Sequence, residues 1–254
     1  MIIDTHCHLY GDVFDADRAA MMERAVAEGV ERFYLPAIDS HVIDAMLQME
    51  KDYPGRCFAM MGLHPCSVKE NYEDELQVAE EWLTRRRFAA IGETGLDFYW
   101  DKTFVEQQYE AFKRQAGWAK KYKIPLVIHA RDSTQACIDV VKEMLNADLT
   151  GIFHCFGGSM QEAEQIIGLG FYLGIGGVIT YKNSGLAAVI EKTPLAHIVL
   201  ETDAPYLTPV PFRGKRNESA YLKYVVQKIA DVKKISTAEV AEITTLNAIK
   251  LFGS

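Results

Sequence analysis

Apolar residues gather into eight short runs along the chain, at residues 2–6, 32–37, 57–62, 88–92, 125–129, 151–154, 171–175 and 197–201. Each is rich in Val, Ile, Leu, Phe or Ala and nearly continuous rather than alternating, which predicts strands covered on both faces, as in a parallel sheet. Between them apolar positions recur at helical spacing, predicting helices over 16–27 (stopped by Gly29), 76–86, 104–122, 134–145 and 161–167. Two further helical stretches, 221–230 and 237–252, follow the last strand and are expected to pack on the outside. Parallel neighbours need a crossover of a dozen or more residues, and every interval is long enough to supply one.

Eight β-then-α units make a closed (β/α)8 TIM barrel of the α/β class the economical fold, with the extra C-terminal helices added to it. The 254 residues match the size of about 250 usual for such a barrel. Two smaller α/β domains would also fit the length, but no linker, repeat or low-complexity segment divides the chain. Residues 1–254 are therefore expected to form one domain. A doubly wound open sheet is the alternative, and its usual mark is a glycine-rich fingerprint after the first strand. Here the first strand is followed by His6-Cys7-His8.

A 49% hydrophobic and 24% charged composition suits a soluble protein with a large core. No apolar run approaches the roughly 20 residues needed to span a bilayer, and Asp4 comes too early for a signal peptide, so a cytoplasmic protein with no membrane partner is expected. Five scattered cysteines with no CxxC pair suggest reduced thiols rather than disulfides or a thiolate zinc site. A net charge of -8 argues against broad attraction to nucleic acid or anionic lipid. A polyanionic substrate would have to be held by metal ions and a local basic patch. No heptads or long apolar stripe point to a protein partner, and a monomer is the expected state.

The chemistry is concentrated at strand ends. His6 and His8 close the first strand, and side chains two apart on a strand share a face, so the two imidazoles can grip one ion. A lone HxH pair is as often a satisfied core histidine beside an exposed one. What tips the balance is that His129, His154, Glu93 and Asp203 each fall at the end of another predicted strand. In a barrel of this kind, groups from the C-terminal ends of different strands converge on one rim. Four imidazoles and two carboxylates suffice for two divalent ions about 3.5–4 Å apart with a bridging carboxylate, and Glu93 is the natural bridge. Such a pair activates a water for in-line attack, with Asp203 placed to accept its proton or orient it. A turn or helix cap before Pro205 is the plainer account of Asp203.

The sequence resembles the TatD family of metal-dependent deoxyribonucleases, within the amidohydrolase-type barrels. The resemblance rests on Asp4-Thr5-His6-Cys7-His8, Gly62-Leu63-His64-Pro65, Ile91-Gly92-Glu93-Thr94-Gly95-Leu96-Asp97, His129-Ala130-Arg131, His154-Cys155-Phe156-Gly157-Gly158, Glu201-Thr202-Asp203-Ala204-Pro205 and Arg213-Gly214-Lys215-Arg216-Asn217-Glu218, in order through almost the whole chain. It implies a (β/α)8 fold, two divalent metals, and hydrolysis of phosphodiester bonds in DNA, often as a 3′ to 5′ exonuclease on single-stranded ends. By matching motif, His6, His8 and Asp203 would hold one metal, His129 and His154 the other, and Glu93 both. Glu93 stands where many related binuclear hydrolases carry a carbamylated lysine, which fits the TatD branch. Ser219 departs from the pattern, which often has proline after Asn-Glu.

Other residues carry weaker signals. His64 and Arg131 fall on the same rim and are candidates for holding phosphate oxygens, against plainer roles as a turn residue before Pro65 and a surface ion pair. Arg213, Lys215 and Arg216 offer the local positive charge the chain otherwise lacks, unless they lie in an ordinary solvated loop. Phe98-Tyr99-Trp100 presents aromatics able to stack on unpaired bases, with at least one expected under the loop. Gly174-Ile175-Gly176-Gly177 reads as close backbone packing rather than a nucleotide loop, and His41 and His197 lie away from the rim.

The leading expectation is a metal-dependent phosphodiesterase on DNA or another phosphodiester. The alternatives are a hydrolase of a small ester, amide, lactone or aminoacyl-tRNA ester, which the same chemistry serves, and a non-catalytic metal-binding scaffold. Four histidines favour Zn or Mn on ligand softness, whereas phosphodiester enzymes commonly use Mg.

Overall fold

A strand that is apolar on both faces must be covered on both, and the chain meets this demand by closing its sheet on itself and ringing it with helices. The computed structural model describes residues 1–253. Its strands are β1 (Ile2–Asp4), β2 (Val30–Pro36), β3 (Cys57–Met60), β4 (Ile91–Asp97), β5 (Leu126–Arg131), β6 (Gly151–Phe153), β7 (Tyr172–Ile175) and β8 (Ile198–Leu200). The helices are α1 (Arg18–Ala27), α2 (Ile43–Asp52), α3 (Tyr72–Arg85), α4 (Val105–Tyr122), α5 (Thr134–Met144), α6 (Met160–Gly168), α7 (Leu186–Lys192), α8 (Leu222–Lys233) and α9 (Thr237–Phe252). Each strand pairs in parallel with its sequence neighbour from β1 to β3 and from β4 to β8.

Two short seams complete the ring. Gly92 N–H donates to Met61 O and Met61 N–H to Ala90 O between β3 and β4. At the other seam both the Thr5 amide and hydroxyl donate to Leu200 O, joining β1 to β8. The result is a (β/α)8 barrel. One buried residue per strand fills its lower interior: Ile3, Tyr34, Met60, Ala90 just ahead of β4, Val127, Ile152, Tyr172 and Val199. Most of the remaining core lies between the strands and the helical ring.

The expected strands all form, with one shift that matters. The fourth apolar run ends at Gly92, but β4 continues to Asp97 through a polar stretch that is buried throughout. Its ladder with β5 is irregular between Ile91 and Thr94, and the Glu93 amide donates instead to Ala37 O beyond β2. Glu93 therefore lies within a strand, displaced toward the barrel axis, not after one.

α2 and α7 escaped the reading of helical periodicity. Both are short, at ten and seven residues, so their apolar stripes span too few turns to stand out.

The two last helices part ways. α8 packs against α7 on the outside, as expected. α9 does not: its Ala248 and Leu251 join the interior layer, Phe252 stacks on Tyr34 at 3.7 Å, and Asn247 Nδ2 donates to Leu195 O and Ile198 O. α9 thus closes the N-terminal mouth of the barrel. The interior layer leaves an apolar floor that water would otherwise wet, and the apolar face of α9 covers it.

Two glycines give opposite predictions. Gly95 sits at φ +135, and an added Cβ would fall 2.1 Å from His129 O across the β4–β5 ladder. Gly168 ends α6 with nothing within 4 Å of such a Cβ. Gly95→Ala is expected to destabilise by about 3 kcal/mol or more, whereas Gly168→Ala should be neutral or stabilising by up to ~1 kcal/mol. Urea unfolding of the two variants checks both.

Candidate metal centre

The C-terminal ends of β1, β4, β5, β6 and β8 deliver the chemistry-bearing side chains to one place, starting from a clasp at the β1–β8 seam. Asp4 is fully buried, and its carboxylate accepts from the Thr202 amide at 2.9 Å, the Thr202 hydroxyl at 2.6 Å and the Ser219 hydroxyl at 2.6 Å. Burial pushes the carboxyl up to about 6, while these donors pull the other way. The clasp sets the His6 turn beside Asp203, whose amide donates to His6 O. Ser219, where the resembled family often has proline, supplies a hydroxyl that proline lacks. Asp203 itself is held at φ 54 and Cys155, next to His154, at φ 48, conformations that cost on the order of 1 kcal/mol each.

Glu93 lies at the middle. Its Oε2 is 3.1 Å from His6 Nε2 and 3.6 Å from His8 Nε2; its Oε1 is 2.7 Å from His154 Nε2, 2.9 Å from His129 Nδ1 and 3.3 Å from His64 Nε2. Asp203 Oδ1 stands 3.5 Å from His8 Nε2 and 3.8 Å from His6 Nε2. The His6 and His154 rings stack at 3.9 Å. Three overlapping donor sets result, His6–His8–Asp203, His6–Glu93–His154 and His64–Glu93–His129, each with ligand atoms within 4.8 Å of one another.

Hydrogen bonds outside this cluster fix which nitrogen faces in. The Tyr10 hydroxyl donates to Pro36 O at 2.7 Å, so toward His8 Nδ1, 2.9 Å away, it acts as acceptor. His8 therefore carries its proton on Nδ1 and turns the Nε2 lone pair inward. His129 Nε2 lies 2.9 Å from Asp97 Oδ2, which leaves its Nδ1 lone pair facing Glu93. His64 is the opposite case. Its Nδ1 accepts from the Cys66 amide at 3.0 Å, so the neutral ring has its proton on Nε2, pointing into the centre. His64 thus faces the cluster as a donor of a hydrogen bond, while His8 and His129 face it as donors of a lone pair.

The charge balance calls for cations. Glu93, Asp203 and Glu201 are buried or nearly so, and among the described residues no Lys or Arg lies within ion-pair distance of any of them. Burial alone pushes the Glu93 carboxyl up, but His154, His64, His6 and a hydrogen bond to His129 outweigh it and hold it well below the usual carboxylate range. Burial likewise pushes His154 down, and Glu93 and Glu201 reverse this and raise it well above the usual imidazole range. Without metal, protons on the imidazoles are the only counter-charge. Divalent ions would replace them, and imidazole nitrogens with carboxylate oxygens are a donor set suited to Zn or Mn.

Sequence reasoning missed the supports of this centre. Glu201 accepts from the Cys155 amide and lies 3.5 Å from His154 Nδ1, and its Oε2 has no partner. Gly174 is bare because a Cβ there would sit 2.2 Å from that oxygen, which is the close packing expected of the 174–177 glycines. Gln115 on α4 holds both the Leu63 amide and carbonyl and donates to Thr94 Oγ1 at 2.6 Å, tying the His64 turn to the residue after Glu93. Gln108, one heptad earlier, accepts from the Asp97 amide. Two glutamines seven residues apart on the apolar face of a helix were the available signal.

The more peripheral candidates separate. Arg131 is exposed, with its guanidinium 4.1 Å from the Tyr99 ring and 5.3 Å from the Trp100 ring. Arg213 lies over Tyr181 at 4.1 Å. Arg216, expected to bind substrate, is instead committed to Asp17 at 2.7 and 2.8 Å and to Val13 O. Its guanidinium therefore braces the chain rather than offering a free charge. His41 is exposed beside Asp39, and His197 precedes β8 at the far end of the strand.

Two measurements follow. His154 and His129 are both raised, so as pH falls protons compete with a metal for their nitrogens and metal affinity should weaken, with proton release on binding visible by calorimetry in buffers of different ionisation enthalpy at low pH. Asp97→Asn removes the acceptor that orients His129 and should lower metal affinity roughly 10- to 100-fold, measured by competition with a chromogenic chelator.

Comparison with known proteins agrees with this architecture. A family model described as TatD related DNase matches residues 3–253. The metal-dependent hydrolase YabD of Bacillus subtilis is 40% identical, over 99% of both chains. The metal-dependent hydrolase YjjV of Escherichia coli is 32% identical, over 98% of this chain and 97% of its own. The crystal structure of YjjV, a TatD homologue, superposes with a TM-score of 0.94 over 100% of this chain and 98% of that one at 31% identity. A TatD family hydrolase from Entamoeba histolytica shares the fold at 22% identity, with a TM-score of 0.83 and coverage of 98% and 97%. With a model and relatives spanning essentially its whole length, the chain belongs to the TatD-related DNase family of metal-dependent hydrolases.

Proposed function

We propose that the chain, acting as one domain, is a two-metal phosphodiesterase that shortens DNA from its ends, a deoxyribonuclease of the 3′ to 5′ kind. The observation that carries this reading is the division of Glu93, with one oxygen facing His6 and His8 and the other facing His154 and His129. On this reading His6, His8 and Asp203 hold one ion, His129 and His154 the other, and Glu93 both. Bound there, two divalent ions supply an activated water and neutralise charge developing on a phosphoryl group.

The chain's own groups do the rest. Asp203, with its side chain about 15% exposed, is the one carboxylate of the cluster in contact with solvent, which places it to take a proton from the attacking water. His64 directs its Nε2 proton at the same point and donates to a phosphate oxygen. Arg131 at the rim and Arg213 on its loop hold flanking phosphates.

A neutral small ester or amide is the second reading, favoured by one observation: Asp17 neutralises Arg216 and so removes part of the expected basic patch.

Metal-loaded protein is expected to shorten end-labelled single-stranded DNA with Mn, Zn or Mg, to lose this activity on chelation and to regain it on metal return. Glu93→Ala should lower the rate at least about a thousandfold. Failure to cut DNA at full metal occupancy would sink the reading. Arg213→Glu separates the two substrates, since it should raise KM several-fold for an oligonucleotide, with a steeper salt dependence lost, and leave a neutral ester untouched.

A further inference from the structure

We infer that Gln115, a wholly buried side chain on α4, is a positioning residue: it stands in for a missing peptide unit between β3 and β4 and so fixes where His64 lies relative to Glu93. What His64 then does rests on the phosphodiester reading above, whereas the placing of His64 rests on geometry alone.

The gap opens where the backbone bends to make the centre. The β3–β4 seam ends with the Gly92 amide donating to Met61 O. Beyond it both chains turn to the residues that follow β2, the Glu93 amide donating to Ala37 O at 3.1 Å and the His64 amide to Ile38 O at 2.8 Å. Leu63 lies buried between these contacts, and among the described residues neither its N–H nor its C=O has a backbone partner. A buried peptide group in that position needs a partner from elsewhere.

Gln115 supplies what a neighbouring strand would. Its Oε1 accepts from the Leu63 amide at 2.8 Å and its Nε2 donates to Leu63 O at 3.1 Å, the reciprocal pair that a strand residue makes with its neighbour. The second hydrogen on Nε2 goes to Thr94 Oγ1 at 2.6 Å, so both donors of the amide are committed. Gly62 leaves the room: a Cβ there would sit 2.9 Å from Gln115 Oε1 and 2.9 Å from the Gly92 carbonyl carbon.

Leu63 precedes His64 and Thr94 follows Glu93, so one amide plane spans the two residues whose side chains meet at 3.3 Å, from His64 Nε2 to Glu93 Oε1. The other bonds of this turn do a different task. The Cys66 amide chooses which nitrogen of His64 bears the proton, but it belongs to the same turn and cannot place that turn against β4. The bond to Ile38 O ties the turn to β2. Gln115 ties it to β4. A hydrogen-bond donor aimed at developing charge acts only within a few tenths of an ångström of its place, so the separation that Gln115 sets reaches the rate through His64.

The test is a double-mutant cycle on the Zn-loaded protein, combining His64→Ala with Gln115→Met, which roughly keeps the volume and loses all three hydrogen bonds. Gln115→Met should lower kcat on an end-labelled single-stranded oligonucleotide roughly 10- to 100-fold, the cost of a misplaced donor, with KM and zinc content nearly unchanged. In the His64→Ala background the same substitution should cost no more than about twofold, because the group it places is gone. Gln115→Glu keeps the acceptor for the Leu63 amide, loses the donors and should fall between, and a thermal melt by circular dichroism reports whether each variant is folded. Losses that multiply in the double variant, zinc lost in place of kcat, or wild-type kcat in folded Gln115→Met each overturn the inference. Nitrogen-15 NMR of the His64 ring reads the same point without substrate. Wild type should show one tautomer, protonated at Nε2, and Gln115→Met shifts averaged between the two; unchanged shifts overturn the positioning role. If wild type cuts no oligonucleotide, the phosphodiester reading falls, and the ring shifts decide the role of Gln115 by themselves.

Discussion

Glu93 is a buried carboxylate that, among the described residues, has no lysine or arginine within ion-pair distance. A buried charge of that kind is tolerated only when something of opposite sign shares its enclosure. Here its ion-pair partners among the described residues are all imidazoles, which carry charge conditionally. The demand explains the surrounding structure. The β4 ladder breaks at this residue, histidines from the ends of four other strands point at it, and the next layer out consists of groups that choose which imidazole nitrogen bears a proton. Tyr10, Asp97 and the Cys66 amide bond to His8, His129 and His64, and each thereby decides what faces Glu93.

The barrel was legible because eight apolar runs with long intervals have few other ways to pair. The cluster of candidate ligands was legible because a strand end is a fixed place in this architecture, so His6, Glu93, His129, His154 and Asp203 could be assigned to one rim without knowing any distance. The end of β4 was less so. Glu-Thr-Gly-Leu-Asp reads as a loop, and its burial comes from the centre itself rather than from side-chain hydropathy. The role of α9 was hidden for a related reason: an apolar helix face does not say whether it covers the side of a barrel or its floor.

Arg216 shows where sequence reasoning overreaches. Three basic residues in four positions suggest a patch, but a guanidinium is available to a ligand only if no carboxylate has claimed it, and Asp17 lies 199 residues earlier in the chain. Ser219 shows the converse. A departure from the family pattern that looked peripheral proves to donate to Asp4, within the clasp that sets His6 beside Asp203.

The floor laid by α9 makes the barrel a blind well. Its lower interior is packed with one side chain per strand and sealed from below, so nothing passes along the axis. Whatever reacts at the centre arrives and departs through the same rim. On the phosphodiester reading proposed above, a polymer would present a terminus to such a well but could not be drawn through it, and each product would have to leave by the way it came.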